Sequence, residues 1–479
     1  MSAWLQALPW MVLAITVPLL GALAAFLRPR HAAPIGLSFA FLTAAAALGV
    51  LLDFIAWGTQ RHQAGGWGAP LGIDLVADGL SVLMLAMAAI VGTAVSVYAR
   101  VYLTNHPDKV RRFWPLWLFL WAALNALFQA GDAFNLYVTL ELLGLSAVAL
   151  VALTGSGPAL WGAMRYLLVS LLGSLSYLVG VALLYHAYGT VDLALLGERA
   201  TGGLQLAVPL GAMIAGLLLK TGLFPFHVWL PPAHGSARAP VSALLTGLVV
   251  KASFYLILRL WFTFTPEGGG VPLLLGSLGA AAIFWGSVQA LRQKRLKLLV
   301  AYSTVAQLGY LFIAFPLAGL EPKLAWSGSV YLALSHAFAK GAMFLAAGSI
   351  MTQSGHDEID ELDKVVERMP LTLAAFALSG ISLAGLPPSG GFVGKWLLLQ
   401  AAMAQGKFLW AAIIIVGGLL TATYVFRVLG FAFTSSEHHH ERHDVPATME
   451  WTALLLAFGA VLMGFVAPWA LPLLEGVLP

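Results

Sequence analysis

Four lysines and one glutamate stand in stretches otherwise fit for lipid or a dry interior. Glu141 lies in LYVTLELLGLSAVAL, Lys220 in GLLLKTGLFPF, Lys251 in LLTGLVVKASF, Lys340 in LALSHAFAKGAMF and Lys395 in GGFVGKWLLLQ. A lysine at membrane depth costs about 2.5 to 3.5 kcal/mol even on insertion scales, so each needs water, a partner or loss of its proton. A glutamate beside a buried lysine is pulled two ways, by desolvation and by its neighbour's charge, so a proton moves between them at modest cost. His336 and Lys340 are four residues apart and share a helix face, and histidine exchanges protons near neutrality. A lone histidine on an apolar helix is ordinarily a packed core residue; a lysine one turn away favours a relay. His227 and His234 flank the end of their apolar segment, where an interfacial role and a relay are both open. In AYSTVAQLGYLF, Tyr302, Ser303, Thr304 and Gln307 are candidates for holding water or for hydrogen-bonding helices together.

The elements that position these groups follow from composition. The chain has 479 residues, 60% apolar and 10% charged, with no cysteine, which is the composition of a membrane protein. Without cysteine it carries no disulfide, thiolate zinc or iron–sulfur cluster of its own. Apolar segments occur at 9–27, 33–52, 75–98, 114–131, 133–153, 161–187, 206–230, 240–264, 271–290, 297–316, 326–352, 371–400, 408–433 and 449–474. In lipid each backbone donor and acceptor must be satisfied within its own segment, so the expected fold is an all-α polytopic membrane protein of about 14 transmembrane helices, one integral membrane domain over 1–479. The first segment has no basic leader region or small-residue cleavage site and is expected to be a retained helix.

Lysine and arginine in alternate loops divide unevenly. One side carries Arg28, Arg30, Arg100, Lys109, Arg111, Arg112, Arg238, Arg292, Lys294, Arg295, Lys297, Lys364, Arg368 and Arg442; the other carries Arg61, Arg199, Lys323 and Lys407. By the positive-inside rule the first set is cytoplasmic and both termini lie outside. The net charge of +4 is therefore a matter of topology, with no basic stripe for nucleic acid. Arg165, Arg259 and Arg427 lie near segment ends and are expected to snorkel to the headgroups.

Two segments are interrupted by proline, the seventh at Pro225 and the twelfth at Pro387 and Pro388. Proline removes a helical hydrogen bond and clashes with the preceding turn, and such breaks at membrane depth are tolerated where backbone lines protein or a water cavity. Two broken segments five apart, each with a lysine, fit corresponding members of an inverted repeat: helices 1–3 at 9–98, repeat one (helices 4–8) at 114–264, repeat two (helices 9–13) at 271–433, and helix 14 at 449–474. No phosphate loop or dinucleotide fingerprint appears, and no cofactor or metal is expected. The histidine run 438–440 with His443 is expected to be a solvated loop.

The runs KTGLFPFHVWLPPAHGSARAPVSALLTGLVVK, ELLGLSAVAL, SHAFAKGAMF and AGLPPSGGFVGK resemble the proton-translocating antiporter-like subunits, a superfamily shared by Mrp-type Na⁺/H⁺ antiporters, the membrane arm of respiratory complex I and membrane-bound hydrogenases. The resemblance covers nearly the whole chain and implies fourteen helices with two inverted five-helix repeats and broken helices 7 and 12. It implies a gating pair of Glu141 and Lys220, a central Lys251, His336 and Lys340 on the eleventh helix, and Lys395 facing the exit. GIDLVADGLSVLMLAMAAIVG and the chain length resemble the D-type component of Mrp antiporters; Lys395 departs from the complex I type that has glutamate there.

The resemblance therefore implies a proton-translocating subunit of a multisubunit Na⁺/H⁺ antiporter in the bacterial cytoplasmic membrane, partnered by other membrane subunits. The alternative is a proton-pumping membrane subunit of a complex I-type or hydrogenase redox complex, with a CO₂- or bicarbonate-accumulating variant also open. A receptor or structural protein with inert charges would leave four deep lysines without a reason.

Overall fold

A computed structural model describes residues 8–264, 270–435 and 443–478. Each of the fourteen apolar segments contains a helix: α1 Trp10–Leu27, α2 Ala32–Trp57, α3 Gly79–Tyr102, α4 Pro107–Gln129, α5 Ala133–Ala152, α6 Gly157–Tyr188, α7a Leu204–Thr221 with α7b Leu230–Ser236, α8 Ala239–Phe264, α9 Val271–Arg292, α10 Leu296–Phe312, α11 Pro322–Ser354, α12a Pro370–Ala384 with α12b Gly390–Ala404, α13 Phe408–Ala432 and α14 Ala447–Ala470. Among the described residues, 12 spans are long and apolar enough to cross a membrane by length and composition. The other two are α4, which opens on the charged turn PDKVRR, and α12, split into two halves of 15 residues each.

The third apolar segment does not begin as a helix. Residues Asp74–Ala77 form β2, paired antiparallel with β1, Gln60–Gln63, and α3 starts only after Asp78, whose carboxylate accepts the Ser81 amide at 2.9 Å as an N-cap. The apolar run LVA satisfies its backbone in a hairpin outside the helix, which hydropathy alone does not distinguish.

The centre of the fold is built from α8 and α11, both buried along their apolar windows. Small residues allow this. Gly328 of α11 and Gly394 of α12b oppose each other so closely that a Cβ on either would sit 2.9 Å from the other's carbonyl oxygen. Gly173 of α6 and Gly216 of α7a make the same kind of crossing, with 2.7 and 2.2 Å for the two added Cβ atoms.

Both proline-bearing segments are broken. α7a ends at Thr221, Gly222 turns into the left-handed region at φ 72°, and a short 3₁₀ turn Phe226–Trp229 leads to α7b. Pro225 caps that turn, whereas Pro231 and Pro232 lie in the first turn of α7b, where a missing N–H costs nothing. α12a ends at Ala384, Gly385 takes φ 85°, and Pro387 and Pro388 fill the gap before Ser389 caps α12b.

Two basic residues depart from the sequence expectation. Arg259 does not snorkel: it is half-buried on α8, bonded bidentately to Asp78, with Nη2 2.6 Å from Oδ1, and to Ser81 and Tyr255. A carboxylate within reach removes the need to seek headgroups. Lys297, counted with the loops, lies in the first turn of α10, is 3% exposed and donates to the Ala237 carbonyl. Arg165 lies exposed over the Trp161 ring, 3.4 Å from its centroid, and Arg427 caps the end of α9 through the Leu291 and Gln293 carbonyls. The histidines 438–440 and Arg442 lie outside the described residues.

Candidate functional site

Glu141 sits in mid-α5 and Lys220 in the last turn of α7a, immediately before the break in α7. The lysine Nζ lies 3.2 Å from Glu141 Oε1, 3.0 Å from Ser170 Oγ of α6 and 3.5 Å from the Leu140 carbonyl. Lys220 is nearly enclosed, while Glu141 keeps 19% of its side chain exposed. A small cavity of about 10 Å³ lies between Lys220, Ser170, Tyr166 and the α8 residues Val249 and Ser253, which is about the room one water needs. The Thr221 hydroxyl reaches Ser253 Oγ at 2.9 Å, so α7 and α8 are joined by polar atoms beside the pair.

On α8 the residues Leu245–Val249 form a π-turn, the irregular helix geometry that recurs at functional sites. Lys251 donates to the Thr246 carbonyl within this region. The Thr246 hydroxyl lies 3.2 Å from both ring nitrogens of His234, which is fully buried on α7b and stacked on Phe344 of α11. On α11, Lys340 donates to Ser303 Oγ and, at 3.0 Å, to the Val300 carbonyl of α10. His336 lies one turn away, 5% exposed, with neither ring nitrogen hydrogen-bonded to a described residue. The charges of Lys251, Lys340 and Lys395 all bear on its ring.

Lys395, one turn into α12b, reaches back across the break to the Leu383 carbonyl at 2.7 Å and the Ala384 carbonyl at 3.3 Å. These are the last carbonyls of α12a, which a helix end leaves without amide partners. The ammonium also sits 4.0 Å from the centroid of the Tyr310 ring, a cation–π contact. Beside it a cavity of about 220 Å³ opens between α12 and α13, lined by Gly385, Lys395, Trp396, Ile414 and Gly418 among others.

The structure thus brings Glu141 to Lys220, Lys340 to Ser303, His336 to one helical turn from Lys340, and His234 to the Thr246–Lys251 turn. Of the remaining candidates, Thr304 shares the Val300 carbonyl with Lys340, and the others lie apart. His227 accepts the Trp285 indole N–H at 3.1 Å at the α7–α9 boundary. Thr304 bonds back to Val300 O, Gln307 donates to Thr421 of α13 at 3.1 Å, and Tyr302 is half-buried against the apolar core. Sequence reasoning missed Ser170, Thr246, Tyr310 and the carbonyls of Val300, Leu383 and Ala384. The π-turn and the end of α12a expose backbone oxygens that no side-chain pattern encodes; Ser170 alone had a signal, in the spacing SLLGSLSY.

Chemically the arrangement is one carboxylate followed by four lysines held by hydroxyl, carbonyl or ring partners. Buried like charges repel strongly, so protonation of one disfavours protonation of the next and the groups titrate as a set.

The chain matches, over residues 130–421, the family described as NADH:quinone oxidoreductase/Mrp antiporter, TM. It is 34% identical to the N-type component of the NADH-quinone oxidoreductase of Desulforudis audaxviator, covering 96% of this chain and 99% of that one. It is 30% identical to the D-type component of the Na⁺/H⁺ antiporter of Alkalihalophilus pseudofirmus, covering 81% and 79%. Its fold superimposes on a chain of the Mrp complex from Dietzia sp. DQ12-45-1b with a TM-score of 0.87 at 25% identity, covering 98% and 96%. On the extent of these matches, the chain belongs to the NADH:quinone oxidoreductase/Mrp antiporter transmembrane family.

Proposed function

We propose that this chain is the proton-translocating subunit of a multisubunit Na⁺/H⁺ antiporter in a bacterial cytoplasmic membrane, moving protons along Glu141, Lys220, Lys251, His336, Lys340 and Lys395. The observation that carries the reading is the 3.2 Å Lys220–Glu141 pair heading a row of buried lysines that have no carboxylate partner among the described residues. When the pair closes, Glu141 stabilises the ammonium of Lys220; when it opens, Lys220 sheds its proton or passes the imbalance to Lys251. Each change alters the field at the next lysine, and His336 stands where the fields of Lys251, Lys340 and Lys395 overlap. Lys395, beside an open cavity, ends the row as the release group.

The same reading includes two inverted repeats, α4–α8 and α9–α13, within fourteen spans. Two parallels support it: α7 and α12 each break at a left-handed glycine followed by proline, and the crossings Gly173–Gly216 and Gly328–Gly394 occupy corresponding helix pairs, α6–α7 and α11–α12. The basic loops put both termini outside. Na⁺ as the exchanged cation and other membrane subunits as partners rest on the relatives that are named as components of Na⁺/H⁺ antiporters.

A second reading is favoured by the 34% identity to a component of an NADH-quinone oxidoreductase: the same lysine row within the pumping arm of a redox complex. Gentle purification from the native membrane, with mass spectrometry of co-purifying subunits and an optical scan, decides between them. Colourless membrane partners alone support the antiporter; co-purifying peripheral subunits with flavin and iron–sulfur absorption overturn it.

A further inference from the structure

Three aspartates gather at the N-terminal end of α5. The backbones of Asp132 and Asp192 form a β-bridge, and the Gly131 amide donates to the Asp74 carbonyl at 2.9 Å. One guanidinium, that of Arg61, spans two of them, 2.7 Å from Asp74 Oδ2 and 2.7 Å from Asp192 Oδ2. Two oxygens remain over: Asp74 Oδ1 and Asp132 Oδ2 are buried with no hydrogen-bond partner among the described residues. Capping explains only part of this. Asp132 Oδ1 accepts the Asn135 amide at 2.6 Å and Asp192 Oδ1 accepts the Leu195 amide at 2.9 Å, but one serine would cap each helix as well.

A second unpartnered polar group points the same way. Tyr177 of α6 is completely buried, and its hydroxyl has no partner among the described residues, a costly arrangement for a phenol. Asp132 is the carboxylate whose charge bears on it. Tyr177 does not stand alone on its face. Ser174 and Ser170 lie three and seven residues before it, all three are buried, and Ser170 Oγ is the atom 3.0 Å from Lys220 Nζ. The levels agree: seven residues along α6 is about 10.5 Å and the nine residues from Asp132 to Glu141 on α5 about 13.5 Å, at 1.5 Å per residue. The difference is within the reach of a tyrosine side chain.

We propose that Ser170, Ser174 and Tyr177 form a second access path for protons, running from the Glu141–Lys220 pair to Asp132 at the membrane face opposite the basic loops. The inference rests on the proton-translocating reading and adds to it a branch leaving the lysine row at its first member. A proton leaving the Lys220 ammonium passes along hydroxyls and intervening water, each hydroxyl taking one proton and giving up its own. Lys220 is left as the amine and Asp132 as the carboxylic acid. The Ser174 hydroxyl, which donates to the Ser170 carbonyl at 2.9 Å, rotates to take part. Beyond Asp132 a cavity of about 390 Å³, lined by Arg61, Val76, Gly131, Leu193 and Arg259 among others, opens the cluster to the surface. The charged and titratable groups around Asp132 are Asp192 and Asp74, both held by Arg61, and Tyr177, while Arg259, paired with Asp78, lines the cavity. Burial, reinforced by Asp192 and Asp74 against the pull of its amide hydrogen bonds, holds the Asp132 carboxyl above the usual carboxylate value, which suits a group that takes up a proton.

The test uses the whole complex reconstituted in liposomes, with proton flux followed by a pH-sensitive dye while the pH is varied on one side at a time. Tyr177→Phe is expected to slow flux tenfold or more with unchanged subunit composition. Asp132→Asn is expected to abolish the dependence on pH at the face opposite the basic loops and leave the dependence at the basic face, with Asp132→Glu restoring it. Full flux in Tyr177→Phe, or an unchanged pH dependence in Asp132→Asn, overturns the path; if Asp132→Asn fails to assemble, Tyr177→Phe decides alone. Lys220→Ala is measured alongside. Flux surviving that substitution overturns the proposed function itself, whereas flux lost there and intact in Tyr177→Phe overturns only this branch.

Discussion

Lys220 and Glu141 meet at 3.2 Å across α5 and α7a, the lysine 6% and the glutamate 19% exposed. The asymmetry has a consequence for gating. Glu141 retains contact with the surface of α5, so solvent or a neighbouring subunit can reach it, while Lys220 is sealed behind it against Ser170 and the Leu140 carbonyl.

Substituting either member of this pair should stop transport with the complex still assembled. Glu141→Gln keeps the shape and removes the charge that holds the ammonium; Lys220→Ala removes the ammonium that donates to Ser170 and Glu141. A loss of tenfold or more in dye-reported proton flux is expected for each. The double variant should be no worse than the worse single, since coupled residues do not add. Losses that multiply would show that the two act independently.

The Arg259–Asp78 pair calls for a different outcome, in stability. Removing Arg259 alone leaves a buried carboxylate without its partner, a change that typically costs about 3–5 kcal/mol. Arg259→Leu should lower the thermal midpoint of the purified complex sharply, and Arg259→Leu with Asp78→Asn should recover much of it. The pH dependence has a definite sign. Burial raises the Asp78 carboxyl, but Arg259 and the Ser81 hydrogen bonds together pull it below its ordinary value. Its contribution is therefore full above the unfolded value of about 3.9 and is lost only as pH falls through the lower folded one. The wild-type advantage over the double variant Arg259→Leu with Asp78→Asn, which has no group there to titrate, should stay level from pH 8 to about pH 5; an advantage fading across that window would remove the pair as its source.

Gly216 tests the helix crossing that supports Lys220 one turn away. An added Cβ would lie 2.2 Å from the Gly173 carbonyl and 3.0 Å from the Tyr177 amide nitrogen, both backbone atoms that cannot swing aside. Gly216→Val should abolish assembly or separate α6 from α7a enough to break the Ser170–Lys220 contact. Gly211→Ala, on the same helix with nothing within 4 Å of the added carbon, should assemble and transport normally. Equal behaviour of the two variants would mean that the close approach is not needed.

Helices and the lysine row were readable because both depend on local signals: long apolar runs, loop charges and charged residues where none belong. That Glu141 needs a cationic partner was readable because it is the carboxylate placed well inside an apolar segment; which of the four lysines meets it came from the family resemblance. Arg259 was misread because its partner Asp78 lies 181 residues away, near the start of a segment whose first residues are strand. Lys297 was misread because its acceptor is the Ala237 carbonyl, and any residue has a carbonyl. The same holds for the oxygens of Thr246, Val300 and Leu383 that hold Lys251, Lys340 and Lys395. What receives a buried ammonium here is mostly backbone freed by helix irregularity, and that is decided by tertiary packing rather than by residue type.

Lys395 separates proton exchange from fixed charge. Its ammonium is held by the Leu383 and Ala384 carbonyls at the end of α12a and by the face of Tyr310, all of which favour a cation without demanding that it titrate. Lys395→Arg preserves the positive charge, fits carbonyl and ring alike, and cannot give up its proton at any physiological pH. If Lys395 releases protons into the cavity beside it, Lys395→Arg should transport as poorly as Lys395→Ala, with both complexes assembled. If it serves only as an electrostatic anchor for the break in α12, Lys395→Arg should transport at close to the full rate and Lys395→Ala alone should fail. Tyr310→Leu refines the choice. Loss of a desolvated cation–π contact of about 2 kcal/mol makes the proton easier to shed, so a release group should discharge at lower pH, moving the acid side of the flux–pH profile downward. An unshifted profile in Tyr310→Leu, with full activity in Lys395→Arg, would take Lys395 out of the proton path.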